Sequence, residues 1–288
     1  MGVRETPLAT VPERQGRLAS DENFPVASRL LPRRQREHLI ALYGFARLAD
    51  DIGDESAGDR LAELDWLEHE LDLAFVGMAT HPVLVRLQPT IRDCRLHRQP
   101  FVDLINANRQ DQSVAEYATW GDLLSYCALS ANPVGRLVLA VFDAETAERV
   151  RWSDDVCTAL QLVEHLQDVG EDAHRGRIYL PAEDRARDGC PDADLLAPTA
   201  SPALRAVLAE LSVRARQLLE GGVPLARSLR GRPRWAVAGF CAGGLATLDA
   251  IADAGHDVLS RRIRPDRSRA VRHTFAIASG SRKGSARP

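Results

Sequence analysis

The chain has 288 residues and a hydrophobic share of 45%, enough for a sizeable core in one large domain or two small ones. A net charge of -3 and a pI near 6.3 argue against a dedicated nucleic-acid binder, and a single lysine, Lys283, argues against Schiff-base and P-loop chemistry. Five scattered cysteines without a CxxC pair fit neither a zinc site nor a secreted disulfide frame. With no signal-peptide pattern and no run of ~18 apolar residues, a cytoplasmic protein, soluble or peripheral at a membrane, is expected.

Residues 1–20 are polar, carry Pro7 and Pro12, and read as a frayed leader. Asp21 to Pro25 is placed to cap a first helix, with Asn23 near the N-cap. Arg33 to Gly53 has helical periodicity, with Leu39, Leu42, Tyr43, Ala46 and Asp50 along one side. Asp59 to Val76 forms a second amphipathic helix on Leu61, Leu64, Leu67, Leu71 and Phe75, and shorter helices are expected over 82–97 and 100–110. A long helix over 121–142 contains Pro133, which should kink it. Another helix spans Glu145 to Gly170. Gly176 to Pro202 reads as a loop with one short helix near 182–188, and further helices are expected near 203–220 and 233–260. Period-two alternation is never sustained, so the class is an all-α bundle of one domain over 21–265, followed by a basic, disordered tail over 266–288.

Two acid clusters stand out. Asp50, Asp51, Asp54 and Glu55 close the first long helix, where the macrodipole disfavours negative charge. Gln167-Asp-Val-Gly-Glu-Asp172 repeats the pattern, so Asp50/Asp54 and Asp168/Asp172 are each four apart, on one helix face. Two such helices can bring four carboxylates together across a cavity. Hard oxygen ligands without His or Cys suit Mg²⁺, which completes its shell with water and phosphate. Arg47, Arg175 and Arg177 are near enough in sequence to take phosphate oxygens by forked hydrogen bonds. The plainer alternative is a pair of solvated helix ends. A di-iron bundle needs Glu-x-x-His pairs, and Glu37-His38 and Glu68-His69 have the wrong spacing.

Together the motifs resemble the squalene and phytoene synthases, head-to-head class I isoprenoid synthases. The match rests on Asn23-Phe24, Tyr43 with Arg47, Asp50-Asp51-Ile-Gly-Asp54, Tyr126, and Asp168-Val-Gly-Glu-Asp172 followed by Gly176-Arg-Ile-Tyr-Leu-Pro181. Glu22 to Ser28 and Ser130-Ala-Asn-Pro-Val-Gly135 look most like the bacterial hydroxysqualene synthase branch, of squalene and hopanoid biosynthesis. The resemblance implies a helical bundle around a central cavity, with Mg²⁺ held by Asp50, Asp54, Asp168 and Asp172, joined by Glu164. It also implies catalytic roles for Tyr43, Arg47, Tyr126, Arg177 and Tyr179, and substrate contacts from Phe24, Arg47, Asp51, Val134, Gln161, Gln167 and Arg177. Relatives often carry Asn where this chain has Glu164 and Arg where it has Gln167, which alters the expected metal affinity and weakens one phosphate contact.

The branch implies presqualene diphosphate as substrate and hydroxysqualene as product. Alternatives are head-to-head condensation of farnesyl or geranylgeranyl diphosphate, or a non-catalytic isoprenoid-binding scaffold. Phe24, Tyr43, Leu129, Val134, Leu137 and Leu160 are candidate wall residues for a cation, which an aromatic face can stabilise. Asp111 matches a family acid near the cavity or ends a helix, and His165 either contacts Asp168 or packs elsewhere. Arg261 to Arg264 and Arg267 to Arg272 suit an anionic membrane surface or form a solvated charge run. A hand-off of product to a downstream reductase is the remaining partner expectation.

Overall fold

The computed structural model describes residues 31–280, so the leader, Asn23 and Phe24 lie outside the described residues. The first four helices are α1 Arg33–Glu55, α2 Arg60–Phe75, α3 Pro82–Cys94 and α4 Gln99–Gln110. Asp59 starts α2 by accepting from the Ala62 amide, and buried Glu70 accepts from the Thr80 and His81 amides that lead into α3. These helices close over one core that includes Phe45, Leu64, Leu67, Leu84 and Phe101. Leu61, expected in the α2 stripe, is instead 50% exposed.

The expected long helix over 121–142 is two helices, α5 Trp120–Ser130 and α6 Asn132–Val141. Pro133 does not kink a continuous helix. It sits in the first turn of α6, where its missing N–H is no loss, and the chain breaks at Ala131. The next helix likewise stops early: α7 covers Ala147–Gln167, Asp168 leaves helical geometry, and α8 covers Val169–His174. Short helices α9 Ala182–Arg187 and α10 Asp192–Leu195 punctuate the loop that follows.

Helix α11, Pro202–Ser228, runs well past the expected end near 220. Gly221 and Gly222 lie just past that expected end, and a Cβ on Gly222 would lie 2.8 Å from the Trp152 carbonyl. That glycine permits close contact between α11 and α7 and does not end the helix. Helix α12 covers Gly231–Asp253, and α13 covers Arg267–Ser279. The expected disordered tail is therefore helical as far as Ser279. Asp266 caps it, Ile277 and Ala278 are buried, and Arg269 and His273 bond to Asp253 and Asp249 of α12.

Helices α5 and α7 to α13 supply most of a second core, which contains Leu204, Val207, Leu219 and Ile251. Trp120–Val141 and Gly231–Asp253 are apolar and long enough to cross a membrane by composition, but half or more of each apolar stretch is buried in the fold. Among the described residues there is no β-strand, only an isolated parallel bridge between Glu116 and Ile178.

Candidate active site

A cavity of about 230 Å³ lies between the two cores. Its α1 wall is Leu39, Leu42, Tyr43, Ala46 and Asp50, a single helical stripe. Eleven residues at ~1.5 Å each separate Leu39 from Asp50, so this wall runs for about 16 Å from apolar to acidic. Helix α7 repeats the gradient with Cys157, Leu160, Gln161 and Glu164. Val134, Leu137 and Val138 of α6, Leu104 of α4 and Phe240 of α12 complete an apolar lining. Tyr43, Val134, Leu137 and Leu160 are thus on the wall as expected, whereas Leu129 packs against the second core.

Asp50 is exposed to the open cavity, yet protein atoms crowd around its carboxyl, and this partial desolvation pushes it up to about 6. Asn108 opposes the shift by donating to Asp50 at 3.2 Å, while Asp54 adds to it. Gly53 makes that contact possible, because a Cβ there would lie 2.1 Å from the Asn108 side-chain oxygen. Asp51 instead turns to Arg47 at 2.8 Å, and Arg47 also reaches Glu55 at 3.2 Å.

The second motif is placed by the segment after α8. The Arg177 amide donates to the Asp172 carbonyl, and the Ile178 and Ala182 amides donate to the carbonyls of Ala115 and Tyr117. Buried Arg185 fastens the same segment through Leu180, Glu116 and Asp192. The Arg177 guanidinium then spans to Asp54 at 2.8 Å, joining the end of α1 to the loop that follows Asp172. Asp168 is raised by burial, with Asp172 and Glu171 adding to the shift.

Between the motifs lies an aromatic stack. The His165 ring lies flat on Tyr179, with centroids 3.8 Å apart, and its Nδ1 is 3.9 Å from Asp172. Tyr179 packs on Tyr126 and Tyr117, and the Tyr126 hydroxyl donates to Asp111 at 2.8 Å. Burial pushes Asp111 up to about 6, against the Tyr126 hydrogen bond and Arg177, with Asp54 raising it further. Asp111 is therefore part of the site, and His165 is buried beside Asp172.

Other expected residues go elsewhere. Arg175 pairs with Glu171 on an exposed surface. Gln167 donates to the Ile263 carbonyl and so ties α7 to the segment before α13. Gln161 and Glu164 line the cavity, and Gln161 contacts His165 at 3.3 Å. The four aspartates do not converge into one cage: among the described residues, no three His, Cys, Asp or Glu side chains are grouped closely enough to hold a metal ion. Asn108 and Phe240 were missed by sequence reasoning. Phe240 carried a faint signal as the one aromatic in the Gly239 to Gly244 stretch of α12, whereas Asn108 is 58 residues from its partner Asp50.

The chain matches the squalene/phytoene synthase family over residues 18–269. It is 38% identical to hydroxysqualene synthase of Rhodopseudomonas palustris over 222 residues, 75% of this chain and 74% of that one. To presqualene diphosphate synthase of the same organism it is 34% identical over 201 residues, 69% of this chain and 72% of the relative. Among solved structures, a squalene synthase from Alicyclobacillus acidocaldarius superposes with a TM-score of 0.79 at 43% identity, covering 85% of this chain and 94% of that one.

Proposed function

Because the chain belongs to the squalene/phytoene synthase family and is thus a head-to-head isoprenoid synthase, we propose that it converts presqualene diphosphate to hydroxysqualene with release of diphosphate, in squalene and hopanoid biosynthesis. The observation that carries this reading is a long apolar cavity whose α1 and α7 walls both end in acids, with Arg177 bridging the two motifs at Asp54. The 38% and 43% identities to a hydroxysqualene synthase and a squalene synthase support the branch.

The donor set fits magnesium. Asp50, Asp54, Glu164, Asp168 and Asp172 offer only hard oxygen ligands; burial is the main cause of the upward shifts of Asp50 and Asp168, and the neighbouring acids Asp54, Asp172 and Glu171 add a smaller repulsion that a cation would relieve. Separate acid pairs suit an ion that keeps part of its water shell. When bound, Mg²⁺ would neutralise diphosphate and stabilise the charge that develops as it leaves.

The chain's own residues do the rest. Arg47 and Arg177, now paired with Asp51, Glu55 and Asp54, can exchange a carboxylate for phosphate oxygens. Cleavage of the C–O bond sends its electron pair to diphosphate, and the cyclopropylcarbinyl cation rearranges. Leu39, Leu42, Val134, Leu137, Leu160 and Phe240 present no lone pair to trap it early. One water then adds at carbon and loses a proton, so no reductant is needed. Tyr43 lines the chamber, and Tyr126 and Tyr179 are held by Asp111 and His165 beside the acids, where hydroxyls can orient that water.

A second reading has the same site condense two farnesyl diphosphates to presqualene diphosphate, and the 34% identity to such a synthase favours it. Purified protein with Mg²⁺ would be given presqualene diphosphate and, separately, farnesyl diphosphate, with products identified by mass spectrometry. Hydroxysqualene from the first alone is expected. Presqualene diphosphate from the second would overturn the assignment.

A further inference from the structure

The outer face of α13 and the start of α12 have no evident place in the cavity chemistry. Trp235, Val271 and Phe275 are 38%, 54% and 58% exposed, and the Trp235 and Phe275 rings meet edge to face at 5.4 Å. Val271 and Phe275 are four apart on α13, so they form one outward stripe with Arg267 at its start and Arg272 beside it. Arg232 stands three residues before Trp235, on the same side of α12. Arg232, Arg267 and Arg272 are exposed and make no ion pair among the described residues.

Acids are sparse on this face. None occurs from Arg230 to Phe240 or from Arg267 to Ser279; Asp266, just before Arg267, is taken up by the Ser268 amide and hydroxyl, and the nearby Asp249 and Asp253 are engaged by Arg216, Arg269 and His273. A chain of net charge -3 therefore concentrates positive charge around its exposed aromatic pair.

We propose that this face docks the protein on an anionic phospholipid surface, with Phe275, Val271 and Trp235 entering the headgroup layer and Arg232, Arg267 and Arg272 meeting lipid phosphates. Aromatic rings and flexible arginines are the side chains that tolerate that boundary, apolar at one end and charged at the other. A second copy of the chain fits less well, because a two-fold contact would bring the same arginines face to face. The inference does not depend on which isoprenoid diphosphate the cavity takes.

The test uses the full chain and sedimentation with phosphatidylcholine vesicles, with and without phosphatidylglycerol. Wild type binds only the anionic vesicles and is released by salt. Trp235→Ser/Phe275→Ser and Arg232→Glu/Arg272→Glu each weaken binding about tenfold or more. Phe275→Leu retains it, and circular dichroism shows all variants folded. Wild type failing to bind anionic vesicles, or both double variants binding as wild type does, would overturn the proposal. So would a wild-type dimer that Phe275→Ser dissociates, which would make the face a self-contact.

Discussion

Gly53→Ala is the smallest change that reaches the acid site through packing alone. The added methyl would stand 2.1 Å from the Asn108 side-chain oxygen, so Asn108, buried on α4, has to move. Moving it strains a packed contact, at about 1–3 kcal/mol. It also loosens the hydrogen bonds from Asn108 to Asp50 and the Leu104 carbonyl, both 3.2 Å, at a further ~1–2 kcal/mol. Alanine in place of glycine inside a helix returns about 1 kcal/mol. The net loss is about 1–4 kcal/mol, which for a chain of this size lowers the melting midpoint by roughly 3–10 °C.

Thermal melting followed by circular dichroism measures this directly, and turnover should fall as Asp50 loses its orienting donor. Asn108→Ala removes the obstacle, so the two substitutions together should be less damaging than their sum, with a coupling of about 1–3 kcal/mol. A Gly53→Ala protein that melts with wild type would refute the reasoning, as would a penalty unchanged in the Asn108→Ala background.

Four further outcomes are expected. Asp50→Asn and Asp168→Asn should abolish turnover at every magnesium concentration while keeping the helical spectrum; wild-type activity in either would remove the metal assignment. In a chelator, the folded protein should lose stability as pH rises from about 4 through about 6. Asp50 and Asp111 hold protons there that the unfolded chain has released. Melting curves across that range for wild type and Asp50→Asn should show the variant with the shallower decline. Arg177→Ala should weaken use of the diphosphate substrate more than Arg177→Lys, read as KM and kcat in parallel, because lysine keeps the charge and loses the fork. Pro133→Ala should shift the melting midpoint by only a few degrees, since the residue occupies a first helical turn and interrupts no hydrogen-bond ladder.

Local patterns made much of the bundle legible. The stripe from Leu39 to Asp50 sets one face of α1, and period-3.6 burial needs no information beyond the neighbouring turns. Helix ends were harder. Helix α11 continues through Gly221-Gly222, where α7 packs closely against it, and Ala131 and Asp168 interrupt helices where a sequence pattern reads straight through. Helix α13 was hidden for a related reason: its charged, weakly apolar sequence reads as a tail until Ile277 and Ala278 are covered.

By itself, then, the sequence determined the all-α class, the two acid motifs and the apolar run leading to the first, because each is written in spacings of three and four residues. Only the tertiary structure decided which groups meet. Asn108 holds Asp50, Arg177 crosses 123 residues to Asp54, and Tyr126 grips Asp111 beneath a stacked His165 and Tyr179. Such pairs depend on how helices pack, and packing depends on the volume and burial of the whole core, which no local spacing records.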